Sequence, residues 1–435
     1  MSNFSRRQFL QSAAMGVAAA AAASLPGRRS ARAAGAAPGA AAAAGKNVIL
    51  LLAAGGWDVT YALDPKPGLP AVDAPPGTLS RYGDLGIWTN PTRPGVGAFF
   101  AAHAALTAVV NGLTVRSVAH PECRKRVLTG NPSAASPDMA AICAHETGRD
   151  LPLPYLVMGD NAITGPLAAS AGRVGNRKQL VALLDDSQAY PPPAGTPAAQ
   201  GFVPDADDQT AMRAWVEARV ERERATVGAR GYNKRLVDDF SGSLDRGDLL
   251  RQNAHGFGSR GGSITLAAQM SLAVDVLDQG ISRATMIDSR LSWDTHNNNE
   301  DQDGFHDQIF ASLKGLVDQL STRAGRSAGH KMIDETIIVV LSELSRTPKL
   351  NAQGGKDHWP VTSAMVIGGG VRGGRAYGGT NERLEAQPID LATGEVAASG
   401  GTLQTNQLAA GVVELAGADA APWFPGVEPL RALHA

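Results

Sequence analysis

The chain has 435 residues, of which 43% are hydrophobic and 19% are charged, and its formal net charge is -1 at pH 7. This near-neutral balance excludes the strongly basic surface that nucleic-acid-binding proteins present. After the N-terminal region no apolar run is long enough to span a bilayer, so no stable membrane span is predicted. The two cysteines, Cys123 and Cys143, could pair in an oxidising compartment or remain as two buried thiols.

The N-terminus carries the features of an export signal. Arg6 and Arg7 stand ahead of an uncharged, Ala-rich run over residues 12–25, and residues 31–33 (Ala-Arg-Ala) have the small-x-small form of a cleavage site. Paired arginines before a weakly apolar stretch are typical of a twin-arginine (Tat) address rather than of a membrane anchor. The alternative is a disordered Ala-rich leader without an address.

We therefore predict a Tat signal peptide over residues 1–33, a flexible linker rich in Ala, Gly and Pro over residues 34–45, and a single α/β domain over residues 46–435. The Tat translocase would be a partner during export, and the mature protein would be periplasmic or extracellular. Because this route carries folded cargo, it is compatible with a metal that is bound before export.

Short apolar runs predict the strands of one sheet: residues 48–52, 109–110, 155–159, 284–288, 336–341 and 364–367. Runs without polar alternation are typical of strands that are buried on both faces, as in parallel sheets. Amphipathic helices are predicted over residues 209–225, 263–279 and 305–320. Strands that alternate with helices of this length predict an α/β fold with a mostly parallel central sheet and helices on both faces. The Pro- and Gly-rich stretch over residues 64–92 is predicted to be loop.

Polar residues directly after strands are the leading site candidates, because ligands of open α/β sheets bind at the carboxyl ends of strands. Asp58 follows the first strand and is placed either to bind a metal or to cap the next helix. Asp294 and His296 follow the fourth strand, two positions apart, so on extended backbone both side chains point the same way. This oxygen and nitrogen pair suits Zn²⁺, although such residues also form ordinary turns.

The fifth and sixth strands add three candidates. Glu343 follows the most apolar run, and Arg346 offers a guanidinium fork for two oxygens of a phosphate or sulfate group; alternatively, the two residues form an ion pair that serves only the loop. His358 lies in a Gly-rich loop before the sixth strand. Together, the carboxylates, histidines and fork predict a hydrolytic site with one or two divalent metal ions. Zn²⁺ is the preferred ion, and Ca²⁺ and Mg²⁺ are also compatible.

One further histidine stands in a polar segment. His120 precedes Pro121, and Arg124 follows four positions later. His120 could act as a nucleophile, a metal ligand or a base, whereas a lone histidine more often has a hydrogen-bonded structural role.

A set of motifs resembles a Tat-exported family known as domain of unknown function 1501. The motifs are Gly55-Gly56-Trp57-Asp58, Trp293-Asp294-Thr295-His296, Ser342-Glu343-Leu344-Ser345-Arg346-Thr347-Pro348, Asp357-His358 and the Gly-rich residues 368–374. The resemblance covers nearly all of the mature chain. The family in turn resembles the alkaline phosphatase and sulfatase superfamily, which implies an alkaline-phosphatase-like fold.

The superfamily resemblance implies metal-binding roles. Asp58 falls where the superfamily has its first-strand metal aspartate. Asp294 and His296 fall near its Asp/His ligand pair, and His358 resembles its last ligand histidine.

Other positions depart from the superfamily pattern. Glu343 stands for the aspartate of a Ser-Asp-His stretch, and Leu344 stands where the histidine belongs, so one metal position lacks a ligand. Arg124 matches an arginine that follows the sulfatase nucleophile, and His120 occupies the position of the nucleophile itself. We favour His120 as a metal ligand, because it could replace the imidazole that Leu344 removes.

The resulting hypothesis is an exported metal-dependent hydrolase that acts on small-molecule or polymeric phosphate or sulfate esters. The predicted metal ligands, whose side chains should meet in one cleft, are Asp58, Asp294, His296, Glu343 and His358. The residues assigned to catalysis or anion binding are His120, Arg124 and Arg346. The alternative is a non-catalytic exported binding or assembly protein that retains the hydrolase fold.

Overall fold

A computed structural model describes residues 45–133, 135–174, 204–252 and 265–435. The predicted signal peptide and nearly all of the predicted linker lie outside these residues. The described chain forms two compact units: the larger contains residues 45–149, 154–171 and 265–435, and the smaller contains residues 150–153, 172–174 and 204–252. In this described part, no helix is long and apolar enough to cross a membrane.

The strands are, in chain order, β1 (Asn47–Leu52), β2 (Thr78–Tyr82), β3 (Leu85–Thr89), β4 (Thr107–Thr114), β5 (Tyr155–Val157), β6 (Ala171–Arg173), β7 (Ala284–Asp288), β8 (Thr336–Leu341), β9 (Ser345–Arg346), β10 (His358–Trp359), β11 (Val361–Gly368), β12 (Arg375–Gly378), β13 (Pro388–Ile389) and β14 (Gly401–Thr402). The α-helices are α1 (Pro94–His103), α2 (His120–Thr129), α3 (Met139–Gly148), α4 (Ala206–Ala225), α5 (Gly231–Gln252), α6 (Leu266–Asp278), α7 (Gln302–Thr322) and α8 (Thr405–Leu415).

Seven strands of the central sheet lie wholly in the larger unit, in the order β12-β4-β11-β8-β1-β7-β5. β1 pairs in parallel with β7 and β8, and the β5–β7 and β12–β4 pairs are also parallel. Only β11 among these runs antiparallel to its neighbours, β4 and β8. The prediction of a mostly parallel α/β sheet is confirmed, and the predicted strands and helices all overlap elements of the structure.

Helices cover both faces of the sheet because the side chains of its central strands are apolar on both faces. Val48, Leu50 and Leu52 of β1 belong to a buried cluster that includes residues of α2, α3 and α8. Ile49 and Leu51 point to the opposite face, because side chains alternate along a strand, and they are equally buried. Cys123 on α2 and Cys143 on α3 are both free and buried, so the described structure contains two thiols rather than a disulfide.

The stretch predicted to be loop over residues 64–92 contains a hairpin. β2 and β3 pair in antiparallel fashion, and Gly83 in the turn between them has a φ of 64°. Glycine adopts this left-handed conformation without a steric penalty. The prediction was wrong because the Pro and Gly residues mark the turns, while Leu85 and Ile87, two positions apart on β3, supply the buried side of the hairpin.

The smaller unit contains the pair of helices α4 and α5. They pack through Val216 and Val220 of α4 and Leu244 of α5. Arg213 extends from α4 to Asp245 at 3.1 Å and Asp248 at 3.4 Å on α5. This packing gives the unit a small apolar core that is separate from the core beneath the sheet.

Candidate metal centre

The loops that follow three neighbouring strands meet at the edge of the sheet formed by the carboxyl ends of its parallel strands. β1 lies between β7 and β8 and is parallel to both, so the chain leaves all three strands at the same edge. The residues that follow these strands are therefore close in space although they are far apart in sequence. The short β9–β10 pair brings His358 back to Arg346 at this edge.

Three imidazole rings converge on one carboxylate here, and we call His120, Asp294, His296 and His358 the histidine–aspartate cluster. Asp294 Oδ2 lies 3.3 Å from His120 Nε2, and Asp294 Oδ1 lies 3.1 Å from His358 Nε2 and 3.3 Å from His296 Nε2. The Nε2 atoms of His296 and His358 are 2.9 Å apart. His120 is the first residue of α2, which places it at the end of that helix nearest the cluster.

The other nitrogen of each ring, Nδ1, is hydrogen-bonded to an oxygen behind the cluster. The pairs are His120 with Glu343 Oε1 at 2.9 Å, His296 with Asp357 Oδ1 at 2.9 Å, and His358 with the Val118 carbonyl oxygen at 2.7 Å. A carbonyl oxygen and an ionised carboxylate can only accept, so each Nδ1 carries a proton. In a neutral ring the lone pair is then on Nε2, which faces the cluster.

This donor set fits a divalent metal ion. His120 Nε2 is buried and, among the residues that the structure describes, has no hydrogen-bond partner, although it faces Asp294 at 3.3 Å. Ligand atoms of His120, Asp294 and His358 all lie within 4.8 Å of one another. Tetrahedral Zn²⁺ with ligands at 2.0–2.1 Å separates those ligands by about 3.3 Å, close to the spacing of the cluster. Metal-binding histidines also commonly donate Nδ1–H to a carboxylate or carbonyl, as these do.

Glu343 lies behind His120 rather than facing the other predicted ligands. Its side chain is buried, and its two oxygens accept the Gly55 N–H at 2.9 and 3.0 Å as well as His120 Nδ1. The hydrogen bond to Glu343 raises the pKa of His120, burial opposes this rise, and the charges of Glu343 and Asp294 add to it. Glu343 thus orients an imidazole ring.

Asp58 is not brought into the cluster. It is fully buried, and its Oδ2 accepts Lys356 Nζ at 2.7 Å and Asn299 Nδ2 at 2.9 Å, while Oδ1 accepts two donors of Thr60. Burial acts to raise the pKa of Asp58, but the charge and hydrogen bond of Lys356 outweigh it, so the pKa is lowered. The buried ammonium of Lys356 already supplies the positive charge that a metal ion would bring to Asp58.

Arg346 is buried and fully engaged by the chain. Its Nε donates to the Gly56 carbonyl at 2.8 Å, Nη1 donates to the Lys356 carbonyl at 3.1 Å, and Nη2 donates to the Gly55 carbonyl and to Asp294 Oδ1. Burial acts to raise the pKa of Asp294, but the hydrogen bond from Arg346 and, when that ring is protonated at Nε2 as well, the one from His358 lower it to about 2. Arg346 therefore holds a cluster carboxylate and is not a free fork for substrate oxygens.

Arg124 lies beside the cluster on α2. Its Nε contacts the His120 carbonyl oxygen at 3.4 Å, and its Nη1 donates to Asn161 Oδ1 at 2.9 Å. Sequence reasoning missed Asn161, Lys356 and Asp357 as residues that position others. Lys356 and Asp357 directly precede His358, and that adjacency was the available signal.

Comparison with known families identifies the chain. A profile described as "Protein of unknown function (DUF1501)" matches residues 45–393. The chain belongs to this family. No curated protein matches the sequence.

Several solved structures are similar at low identity. The lipoteichoic acid synthase LtaP from Listeria monocytogenes is 11% identical, with a TM-score of 0.37 over 90% of this chain and 75% of that chain. An alkaline phosphatase superfamily protein from Vibrio parahaemolyticus is 11% identical, with a TM-score of 0.38 over 90% and 71%. The sulfatase PsFucS1 from Pseudoalteromonas sp. is 11% identical, with a TM-score of 0.34 over 90% and 72%. These similarities are too weak to transfer a substrate or a site residue.

Proposed function

We propose that this protein is a metal-dependent hydrolase of phosphate or sulfate esters, with one divalent ion, preferably Zn²⁺, bound by the histidine–aspartate cluster. The observation that carries the proposal is the convergence of three Nε2 atoms on Asp294, with His120 Nε2 buried and without a hydrogen-bond partner in the described part of the chain. Without a cation, the His296 and His358 lone pairs would oppose each other at 2.9 Å unless one ring took up a proton. A metal ion removes that conflict.

The chain supplies orientation, and the bound ion would supply Lewis acidity toward an ester oxygen or an attacking water. The hydrogen bonds at each Nδ1 keep the rings facing inward, and Arg346 holds the Asp294 carboxylate. His120 acts as a ligand rather than as a nucleophile, because one nitrogen is tied to Glu343 and the other faces Asp294. One ion is favoured over two, because Lys356 already neutralises Asp58.

Metal analysis of purified protein tests this proposal. We expect about one zinc per chain in the unaltered protein, and a loss of most of it in His120→Ala and His358→Ala. His330→Ala is the matched control, because His330 is exposed and lies outside the cluster. Full zinc content in both cluster variants would contradict the assignment. Turnover of aryl phosphates and aryl sulfates, lost in the same two variants, tests the reaction class.

A second candidate is a non-catalytic exported binding or assembly protein that retains the fold. It is favoured by the engagement of Arg346 and Asp58 within the chain, since both would otherwise serve substrate or a second ion. Zinc bound by the cluster without turnover of any ester would support this candidate over the first.

Export by the Tat pathway is a separate part of the proposal, supported by the paired arginines near the N-terminus. Changing Arg6 and Arg7 together to lysine should leave the precursor in the cytoplasm, as measured by cell fractionation. Normal export of this double variant would contradict a Tat address and leave the metal site unaffected.

A further inference from the structure

A cation without a carboxylate partner lies next to the histidine–aspartate cluster. Arg124 follows His120 by one helical turn on α2, and helical side chains lean toward the N-terminus of their helix. The guanidinium group accordingly reaches back toward His120, whose carbonyl oxygen it contacts. Within the residues that the structure describes, the side-chain partner of Arg124 is an amide, and no carboxylate forms an ion pair with it.

Asn161 holds this cation without neutralising it. Arg124 Nη1 donates to Asn161 Oδ1 at 2.9 Å, and Asn161 Nδ2 donates to Asp288 Oδ2 at 2.7 Å. A guanidinium group can only donate and an ionised carboxylate can only accept, so an amide between them satisfies both. An aspartate at position 161 would instead pair with Arg124 and face the carboxylate of Asp288.

The far end of this network is held in place by several hydrogen bonds. Asp288 ends β7, the strand whose following loop carries Asp294. Its Oδ1 accepts the Arg290 N–H at 3.1 Å, and the Gln269 side chain bonds the backbone N–H and carbonyl oxygen of Asp288 at 3.1 and 3.0 Å. Asn161 is therefore anchored to the sheet, and the guanidinium group is held by a fixed acceptor.

We propose that Arg124, positioned by Asn161, binds the charged oxygens of the phosphate or sulfate group at the candidate site. Asn161 is the positioning residue that keeps the guanidinium group oriented and unpaired. The inference rests on the proposed function for its place beside a metal ion. It assigns to Arg124 the anion-binding role for which Arg346 is not free, since all three guanidinium nitrogens of Arg346 donate to the chain.

Calorimetric titration of the zinc-loaded full chain with inorganic phosphate tests the inference. Asn161→Asp should weaken phosphate binding about tenfold, because the new carboxylate neutralises Arg124. Asn90→Asp adds the same charge at an Asx turn outside the site and should bind phosphate as the unaltered protein does. Arg124→Gln should cause a similar loss, and combining it with Asn161→Asp should add nothing further.

A second variant covers the case in which Asn161→Asp folds poorly beside Asp288. Asn161→Asp with Asp288→Asn preserves the net charge and restores a donor–acceptor pair, yet still places a carboxylate against Arg124. This double variant should show the same loss of about tenfold in phosphate affinity. Wild-type phosphate affinity in this folded double variant, or in Arg124→Gln, would overturn the inference. If the unaltered protein holds no zinc but its phosphate binding depends on Arg124 and Asn161 as stated, the metal proposal fails and the anion site stands. If the protein holds zinc but its phosphate binding does not depend on these two residues, the metal proposal stands and the anion site fails.

Discussion

Two aspartates at the same edge of the sheet have opposite environments. The Asp58 side chain is 0% exposed and is paired with Lys356, whose side chain is equally buried. The Asp294 side chain is 48% exposed and faces three imidazole rings as well as Arg346. Both follow parallel strands, so the position after a strand does not distinguish a structural carboxylate from a candidate metal ligand. The partners distinguish them, because the buried Lys356 ammonium is already paired with Asp58, whereas the imidazole rings beside Asp294 offer lone pairs to a cation.

The largest expected effect comes from breaking the buried pair. Lys356→Met leaves the Asp58 carboxylate buried with no countercharge, which should lower the free energy of unfolding by about 3–5 kcal/mol. Urea denaturation measures this loss. The double variant Asp58→Asn with Lys356→Met should lose much less, because no uncompensated charge remains. If Lys356→Met kept full stability but lost its zinc, the contrast between the two aspartates would be wrong.

A second prediction concerns His306, an imidazole that is buried, as Asp58 is. His306 donates Nδ1–H to the Gln302 carbonyl oxygen at 2.8 Å, and its ring stacks against Tyr61. Burial lowers the pKa of His306 from 6.5 to about 4. As the pH falls, His306 is therefore protonated in the unfolded chain before it is protonated in the folded protein. The contribution of His306 to the free energy of unfolding is complete above about pH 6.5 and is lost as the pH falls toward 4.

Urea denaturation at two pH values measures this effect. The free energy of unfolding should be about 2 kcal/mol lower near pH 5 than near pH 7.5 because of His306 alone. His306→Phe retains an aromatic ring without a titrating nitrogen, so its stability should change less over the same range. An equal pH dependence in the unaltered protein and the variant would show that His306 titrates normally.

The third prediction concerns the cluster. Glu343→Gln removes the negative charge and replaces one accepting oxygen by an amide donor. In either orientation of the amide, this donor faces an N–H group that Glu343 now accepts, either Gly55 N–H or His120 Nδ1–H. Loss of such an orienting acceptor typically weakens metal affinity about 10- to 100-fold. Competition with a zinc chelator measures the affinity. Unchanged affinity would mean that Glu343 does not orient His120 as a ligand.

The smallest expected effect is at Asp357, which is exposed and bonds His296 Nδ1. Asp357→Ala should weaken zinc binding by less than about tenfold, since water can replace an exposed acceptor. Asp357→Asn keeps an accepting oxygen and should bind zinc nearly as well as the unaltered protein. A larger loss at Asp357 than at Glu343 would reverse the expected order of exposed and buried acceptors.

The sequence predicts the sheet well because burial on both faces leaves a direct trace in it. β1 and β8 are unbroken apolar runs, and six such runs correspond to strands of the structure. β12 was not predicted, because Arg375–Gly378 at the edge of the sheet has no apolar run. Helix α2 was also missed, since its ten residues are mostly polar and contain few apolar positions to mark a face.

For the site, the sequence predicts which residues come to the sheet edge but not which groups they contact there. Asp294, His296 and His358 meet as the strand-end argument expects. Glu343 and Arg346 also reach this edge, yet their side chains turn to His120 and to backbone carbonyls. Such choices depend on the directions of loop side chains and on nearby charges, which no local pattern encodes. Metal binding by these residues stays a prediction.

The placement of β1 between β7 and β8 also has a consequence for the order of events during folding. These strands begin at Asn47, Ala284 and Thr336, so their pairing closes very long loops of chain. Contacts at such sequence separation form late, because loop-closure entropy opposes them until much of the sheet is assembled. In the unfolded chain His120, Asp294 and His358 are far apart, and only the nearly complete sheet brings them together. A metal ion bound by this set, as we propose, would therefore bind after the sheet has formed and would stabilise the fold rather than nucleate it.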